Sequence, residues 1–416
     1  MRADRERSIL HSDLNCFYAS VETVLNPGYQ GKAIAVCGST EDRHGIVLAK
    51  SEKAKRAGVK TGMVNRDAMA LCPGLIIVEP HFERYVEFSK IVRKIYYDYT
   101  DMVEPFGMDE CWLDVTGSVG IFGSGEKIAN DIRERIKRET GLTVSVGVSF
   151  CKSFAKLGSD MKKPDAVTVI SREDFKRKIW PLPASDLLFV GRATSKKLFS
   201  CGILTIGDIA KVGKENMTAM FGIRGRYLWE YASGEDHAPV MHKDFEFPVK
   251  SVGHGITCTA DLTTNEEVAN VILELTQDIG HRLRVHKLAA RGVMLTVKDN
   301  SLFYTSRQAR LPYSTMSPGT LAKEAYSLFL SLYNWKNPVR ALTVTAIDTV
   351  PSDESVQLDL FGDHAGMDRR RKLDDAVDCI NTRFGKKTVR PLSVIKLAKL
   401  PGDTSHETTL PGNMIY

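Results

Sequence analysis

The sequence predicts an α+β protein of several domains, and three observations carry that expectation. Its 416 residues allow roughly two to four domains at about 100 to 200 residues each. Its composition, 43% hydrophobic and 26% charged, is that of an ordinary globular chain and excludes a disordered or fibrous one. The texture also changes twice: interleaved strands and helices give way near Asp174 to glycine-punctuated helices, and near Phe245 to a strand-rich pattern.

Taken in order, residues 8–11 read as a short strand running into Asp13, and residues 17–25 carry apolar side chains at helical spacing up to the stop Asn26-Pro27-Gly28. Asp13 therefore falls at a strand-to-helix junction. Residues 33–37 and 45–49 read as strands, with short helices over 52–57 and 63–71. A helix over 85–99 leads to a strand pair around Met108-Asp109-Glu110, and an amphipathic helix over 126–139 precedes a strand over 143–148. Glycine then punctuates short helices at Gly191, Gly202, Gly222, Gly225 and Gly234. The last pattern is strand 251–259, helix 266–286, strands 291–298 and 302–311, helix 321–333 and strand 339–347, the order of a ferredoxin-like unit. After Pro351 the chain turns polar and ends in an amphipathic piece over 368–383, with Leu373, Ala376, Val377 and Ile380 at helical spacing.

The net charge of +6 permits nucleic acid as a partner without arguing for it. Eight scattered cysteines with no C-x-x-C give zinc ligation little support and read as reduced thiols. No apolar run approaches the ~18 residues of a membrane span and the N-terminus is charged, so the expected address is cytoplasmic, with no membrane partner.

The chemistry is concentrated in Asp13 and the pair Asp109-Glu110. Three oxygen ligands from two apolar segments suit hard divalent cations, and such a cluster suits in-line phosphoryl chemistry. An isolated Asp-Glu pair is most often a solvated strand end. Successive strand residues also point to opposite faces, so both acids reach one cation only if the strand bends, and Gly107 offers the place.

Further segments decide the matter. Asp13-Leu14-Asn15-Cys16-Phe17-Tyr18-Ala19-Ser20, Ala54-Lys55-Arg56-Ala57-Gly58, Met108-Asp109-Glu110 with Leu113-Asp114, Ser145-Val146-Gly147-Val148-Ser149, Phe154-Ala155-Lys156-Leu157 and Asp160-Met161-Lys162-Lys163-Pro164 follow one another in order. Together they closely resemble the Y-family translesion DNA polymerases, the group of bacterial DNA polymerase IV and the polymerase V catalytic subunit. The resemblance covers almost the whole chain. It implies a right-hand polymerase: a ferredoxin-like palm over 1–31 and 76–170, small fingers over 32–75, a helical thumb with helix-hairpin-helix elements over 171–240, a linker over 241–248, a ferredoxin-like little finger over 249–350 and a tail over 351–416.

The resemblance also implies an error-prone DNA-templated DNA polymerase without proofreading, a monomer acting on primer-template DNA and dNTP with two Mg²⁺ ions. Asp13, Asp109 and Glu110 would hold the ions, with the Leu14 carbonyl as a further ligand. Cys16, Phe17, Tyr18, Lys55 and Lys163 would bind the incoming nucleotide, Tyr18 as the steric gate against a ribose 2′-hydroxyl. Ile46 and Leu48 would form the lid over the nascent base pair. The pattern departs at Glu52, where many members carry a Tyr that binds the triphosphate, and at Ala49, where many carry Thr. An anionic Glu52 cannot donate to phosphate, which leaves Ser51 and Lys50 as expected substitutes.

Gly191, Gly222 and Gly225 would let backbone N–H groups approach DNA phosphates. Lys250, Arg307 and Arg340, with Arg291 and Lys298, match basic positions of the little finger. Gln357-Leu358-Asp359-Leu360-Phe361 resembles the bacterial sliding-clamp-binding motif. There Leu360 and Phe361 would anchor in a clamp pocket, with Gln357 and Leu358 beside them. Two other classes remain to be weighed, a DNA-binding accessory relative that has lost catalysis and a nucleotidyl cyclase. The retained acids count against the first, and the hairpin region and the clamp motif against the second.

Overall fold

The computed structural model describes residues 6–41, 43, 45–354, 364–385, 388–395 and 399–400. They fall into two compact units. One is built from residues up to Gly38 and from Ile46–Phe247, the other from Ser39–Gly45 and the described residues from Pro248 onward.

The first unit is organised by a five-stranded sheet in the order β5-β6-β1-β7-β8. These strands are β1 (Ile9–Leu14), β5 (Val103–Pro105), β6 (Glu110–Asp114), β7 (Val144–Ser149) and β8 (Val167–Ile170). A three-stranded sheet of β2 (Ile34–Cys37), β3 (Val47–Lys50) and β4 (Ile76–Val78), in the order β3-β2-β4, lies between them in sequence. The helices are α1 (Phe17–Leu25), α2 (Glu52–Arg56), α3 (Asn65–Leu71), α4 (Phe82–Tyr97), α5 (Val119–Phe122), α6 (Gly125–Thr140) and α7 (Lys152–Met161). One face of the five-stranded sheet packs Leu10, Leu14, Val144 and Val146 against Val92, Ile95 and Tyr96 of α4 and Ile128, Ile132 and Ile136 of α6. Each such side chain, almost wholly buried, contributes about 1.5–3 kcal/mol. α7 covers the other face.

Five more helices follow, α8 (Phe175–Ile179), α9 (Arg192–Ser200), α10 (Ile206–Val212), α11 (Lys214–Phe221) and α12 (Ile223–Ser233). Their core is continuous with α7, because Phe150, Phe154 and Leu157 join Phe175, Leu198, Ile209 and Leu228 in one cluster. The change of texture near Asp174 thus falls inside the first unit, which continues from Ile46 to Phe247.

The second unit is an antiparallel sheet in the order β11-β10-β12-β9, formed by β9 (Ser251–Leu262), β10 (Leu288–Asp299), β11 (Tyr304–Thr315) and β12 (Val339–Pro351). The helices α13 (Asn265–Val285) and α14 (Pro318–Leu332) cover one face. β9 and β10 flank β12, and β11 and β12 flank β10, so two split β-α-β units interlock as the ferredoxin-like pattern expects. α15 (His364–Phe384) coincides with the amphipathic piece of the tail. It docks through its charged side, with Asp378 meeting His281 at 2.6 Å and Arg284 at 3.2 Å, while Leu373 stays 63% exposed. The apolar stripe is thus not what seats this helix.

Most expected elements are present within a few residues, and α1 spans the expected 17–25. β4, α7 and β8 lie outside the expected set. α7 carries two serines and a glycine in ten residues, which mutes its helix propensity, and packing against the sheet imposes the helix. No helix among the described residues is long and apolar enough to cross a membrane, and all eight cysteines are free thiols.

Candidate active site

β1 runs further than expected, so Asp13 lies within it and sits directly opposite Glu110 in the β1–β6 register. Alternation along β1 turns Leu10, Ser12 and Leu14 to the apolar core and His11 and Asp13 to the face under α7. Glu110 opens β6 on that same face, and Trp112, opposite His11, packs edge-on against its ring at 5.2 Å. Asp109 escapes the alternation. It lies in the bend before β6, where Gly107 takes φ of +99° and the Asp109 carbonyl accepts a 3.0 Å bond from the Leu14 N–H. The bend lets Asp109, like Glu110, lie close enough to Asp13 for the carboxylate charges to interact.

α7 presses close above these acids. A Cβ on Gly147 of β7 would stand 1.9 Å from the Ala155 carbonyl oxygen, so only glycine admits the helix at this distance. The close approach delivers Lys156, whose Nζ lies 2.9 Å from Glu110, 3.3 Å from Asp13 and 3.3 Å from Asp160. Lys163 lies 2.7 Å from Asp13 and 2.8 Å from Asp160. Below them His11 is fully buried, with Nδ1 2.8 Å from Ser159 Oγ and Nε2 3.2 Å from Glu110. Lys156, Asp160 and His11 had no role assigned from the sequence. The i, i+4 spacing of Lys156 and Asp160 on one helix was the available signal for two of them.

Burial and the charges of Asp13 and Glu110 push the Asp109 carboxyl up to about 7. For Glu110 burial acts upward, but His11 and Lys156 outweigh it and hold the group near 2. Burial lowers the His11 imidazole. In Lys156 burial is outweighed by Glu110 and Asp13, which keep the ammonium charged. Among the described residues no group of three His, Cys, Asp or Glu side chains is placed to hold a metal ion, and Lys156 and Lys163 engage Asp13 and Glu110. The donor set nonetheless fits a hard divalent cation. It is all carboxylate oxygen, it already gathers two ammonium charges, and at Asp109 the charge of Lys156 is outweighed by burial and the neighbouring carboxylates.

Tyr18, expected from the resemblance to face the nucleotide, is locked by packing. Its ring stacks on Tyr85 at 4.2 Å and 9°, meets Phe82 edge-on at 5.9 Å, and its hydroxyl points to Met108 Sδ at 3.5 Å. Tyr85 is itself held by a hydrogen bond to buried Glu22. Phe17 is buried in the core beside this stack. Cys16, the residue just before α1, takes φ of +49° and donates its thiol to Glu52 at 3.2 Å; the same carboxylate oxygen takes Lys55 at 3.5 Å. The expected substitutes for a triphosphate donor are engaged elsewhere. Ser51 accepts from the Ile34 and Ala54 N–H groups, and Lys50 donates to Thr61 at 2.9 Å. Asn15, with no carboxylate to offer, spends its amide on Thr143 and Ser145.

Of the glycines expected at DNA, Gly191 and Gly222 are exposed at the starts of α9 and α12. Gly225 is buried instead. Its N–H donates to Gly222, and a Cβ there would meet the Met217 carbonyl at 1.9 Å, so it serves the packing of α12 on α11. In the second unit Lys250 is exposed before β9, and Arg340 lies at an irregularity of β12. Strand alternation separates the rest. Arg307 pairs with buried Leu295 on the helix-covered face and donates to Ser331 of α14 at 3.2 Å, so it does not share the open face. Lys298 and Arg310 do. Arg291 pairs with Glu354 at 2.8 Å. Gln357, Leu358, Leu360 and Phe361 lie outside the described residues.

The impB/mucB/samB family matches residues 12–160, and its C-terminal domain matches residues 249–360. The chain is similar to the DNA polymerase IV of Acetivibrio thermocellus, with 51% identity over 385 residues, 92% of this chain and 96% of that one. It is similar to DNA polymerase IV 1 of Bacillus subtilis, with 34% identity over 394 residues and 94% of each chain covered. Among solved structures it is similar to a Y-family DNA polymerase chimera of Dbh and Dpo4. The TM-score is 0.73 at 24% identity, covering 82% of this chain and 99% of that one, a likeness of fold.

Proposed function

The chain belongs to the Y-family of translesion DNA polymerases and is a DNA-directed DNA polymerase, and we propose that it extends primers past damaged template bases by two-metal nucleotidyl transfer, without proofreading. The observation that carries the chemistry is the register of Asp13 against Glu110 with Asp109 on the adjoining bend. Family members use divalent metal ions. Here Asp13, Asp109, Glu110 and the Leu14 carbonyl would hold two Mg²⁺ ions, which when bound would lower the pKa of the primer 3′-hydroxyl and neutralise the triphosphate and the leaving pyrophosphate.

The chain's own groups do the rest. Lys163, now shared by Asp13 and Asp160, offers an ammonium to the triphosphate, with Lys55 on the fingers side. The Tyr18 ring, fixed on Tyr85, stands beneath the sugar and excludes a 2′-hydroxyl by contact, while Cys16 and Phe17 shape the turn that carries it. His11, buried beneath Glu110, keeps that carboxylate ionised and oriented. The palm is the five-stranded sheet with α4, α6 and α7, the fingers are the β2–β4 sheet, the thumb is α8–α12 and the little finger is the second unit. Exposed Gly191 and Gly222, with Lys250, Lys298, Arg310 and Arg340, supply phosphate contacts without sequence readout. Residues 357–361 tether the chain to the sliding clamp.

The test is primer extension with dNTP and Mg²⁺, comparing the natural chain with Asp109→Ala. The natural chain should extend the primer and the variant should lose about a thousandfold or more in rate. Extension that persists in Asp109→Ala would remove the acids from the chemistry.

A further inference from the structure

Glu52 stands at the mouth of the nucleotide side and is the sharpest departure from the family pattern. It occupies the first turn of α2, yet the helix does not need it as a cap, because Ser51 already accepts the Ala54 N–H. Its carboxylate is instead fixed from two directions. The Cys16 thiol donates to Oε1 at 3.2 Å from the start of α1, and Lys55 Nζ sits 3.5 Å from the same oxygen. Burial, with Glu52 adding to it, pushes the Cys16 thiol up to about 11, so it remains a protonated donor. The neighbouring lysines face other groups, Lys50 toward Thr61 and Lys53 toward the Gly31 carbonyl. Lys55 is therefore the local cation held by Glu52, and its side chain is half exposed.

We propose that Glu52 is a positioning residue that sets nucleotide affinity by competing with the triphosphate for Lys55. Cys16 holds the carboxylate in place, so the pair Glu52–Lys55 must open before Lys55 can meet phosphate. The competition raises the nucleotide concentration required for insertion and leaves the chemical step at the acids untouched. This inference rests on the polymerase reading of the site and on Lys55 facing the triphosphate.

The experiment is steady-state single-nucleotide insertion on primer-template DNA by the full chain, comparing the natural sequence, Glu52→Gln, Lys55→Ala and the double variant. Glutamine keeps an acceptor for Cys16 and removes the charge. Breaking a partly exposed ion pair of this kind should lower the KM for dNTP about threefold to fivefold, with kcat within about twofold. Lys55→Ala should raise KM, and in the double variant the gain from Glu52→Gln should vanish. A KM unchanged or raised in Glu52→Gln, or a gain that survives Lys55→Ala, overturns the proposal. Failure of the natural chain to insert any nucleotide would instead overturn the polymerase reading, and an unchanged KM in Lys55→Ala would overturn the placement of Lys55. Glu52→Ala serves the same comparison should the glutamine variant not fold.

Discussion

Asp109 carries a buried carboxyl whose charge the surrounding protein disfavours. Burial and two neighbouring carboxylates raise its pKa from 3.8 to about 7, so between these values the folded protein binds a proton that the unfolded chain has already released. Stability of the metal-free protein must then fall as pH rises from about 4 to about 7, and the full cost persists above that. Asp109→Asn removes the charge but keeps the shape. In EDTA it should be more stable than the natural chain at pH 8 by on the order of 2 kcal/mol, discounted from the full conversion of the shift because the group keeps some contact with solvent. By pH 5 most of that gain should be gone, and Mg²⁺ should stabilise the natural chain but not the variant. Urea denaturation at the two pH values measures this, and an equal gain at both would show that Asp109 is not held in an unfavourable charge state.

At the scale of elements, the active site depends on how closely α7 approaches β7. The helix contributes Lys156, which spans Glu110 and Asp13, and Asp160, which braces both lysines. Gly147 makes the approach possible, since a Cβ there would lie 1.9 Å from the Ala155 carbonyl and 2.6 Å from the Ser159 nitrogen. Both clashes are with backbone, so no side-chain rotation relieves them. Gly147→Ala should cost about 3 kcal/mol of stability and, in the fraction that stays folded, reduce insertion sharply by lifting Lys156 from the acids. Denaturant melts together with insertion rates check both parts, and a stable, fully active variant would mean that α7 can retreat without harm.

For the whole molecule, our proposal gives chemistry to the first unit and grip to the second. The second unit offers an open sheet face of threonines, serines and glycines with Lys298 and Arg310 among them. Such a face suits a sequence-independent phosphate contact, which is weak and salt-dependent. A chain that grips DNA in this way gains most from a tether, and the tail motif fills that need in our proposal. Replacing Leu360 and Phe361 by alanine should weaken binding to a bacterial sliding clamp by more than about tenfold and abolish stimulation of synthesis by the clamp. Surface plasmon resonance and primer extension with loaded clamp test this; unaltered clamp affinity would discard the motif.

Most of the order of elements and the ferredoxin-like unit near the C-terminus were legible in the chain, and the three acids and Tyr18 were nominated there as candidates, because periodicity and short ordered motifs are local properties. The alternation of β1, for example, already sorts His11 and Asp13 from Leu10 and Leu14. What only the tertiary structure decided depends on distance across elements. The Gly107 bend and the β1–β6 register bring Asp109 and Glu110 to one site with Asp13. The approach of α7 recruits Lys156 and Asp160, strand pairing moves Arg307 away from the open face, close packing claims Gly225, and backbone bonds claim Ser51. Sequence states which groups are available. Which of them remain free for substrate is settled by what folding places beside each one, since a charge or hydroxyl already satisfied within the protein has little left to offer a ligand.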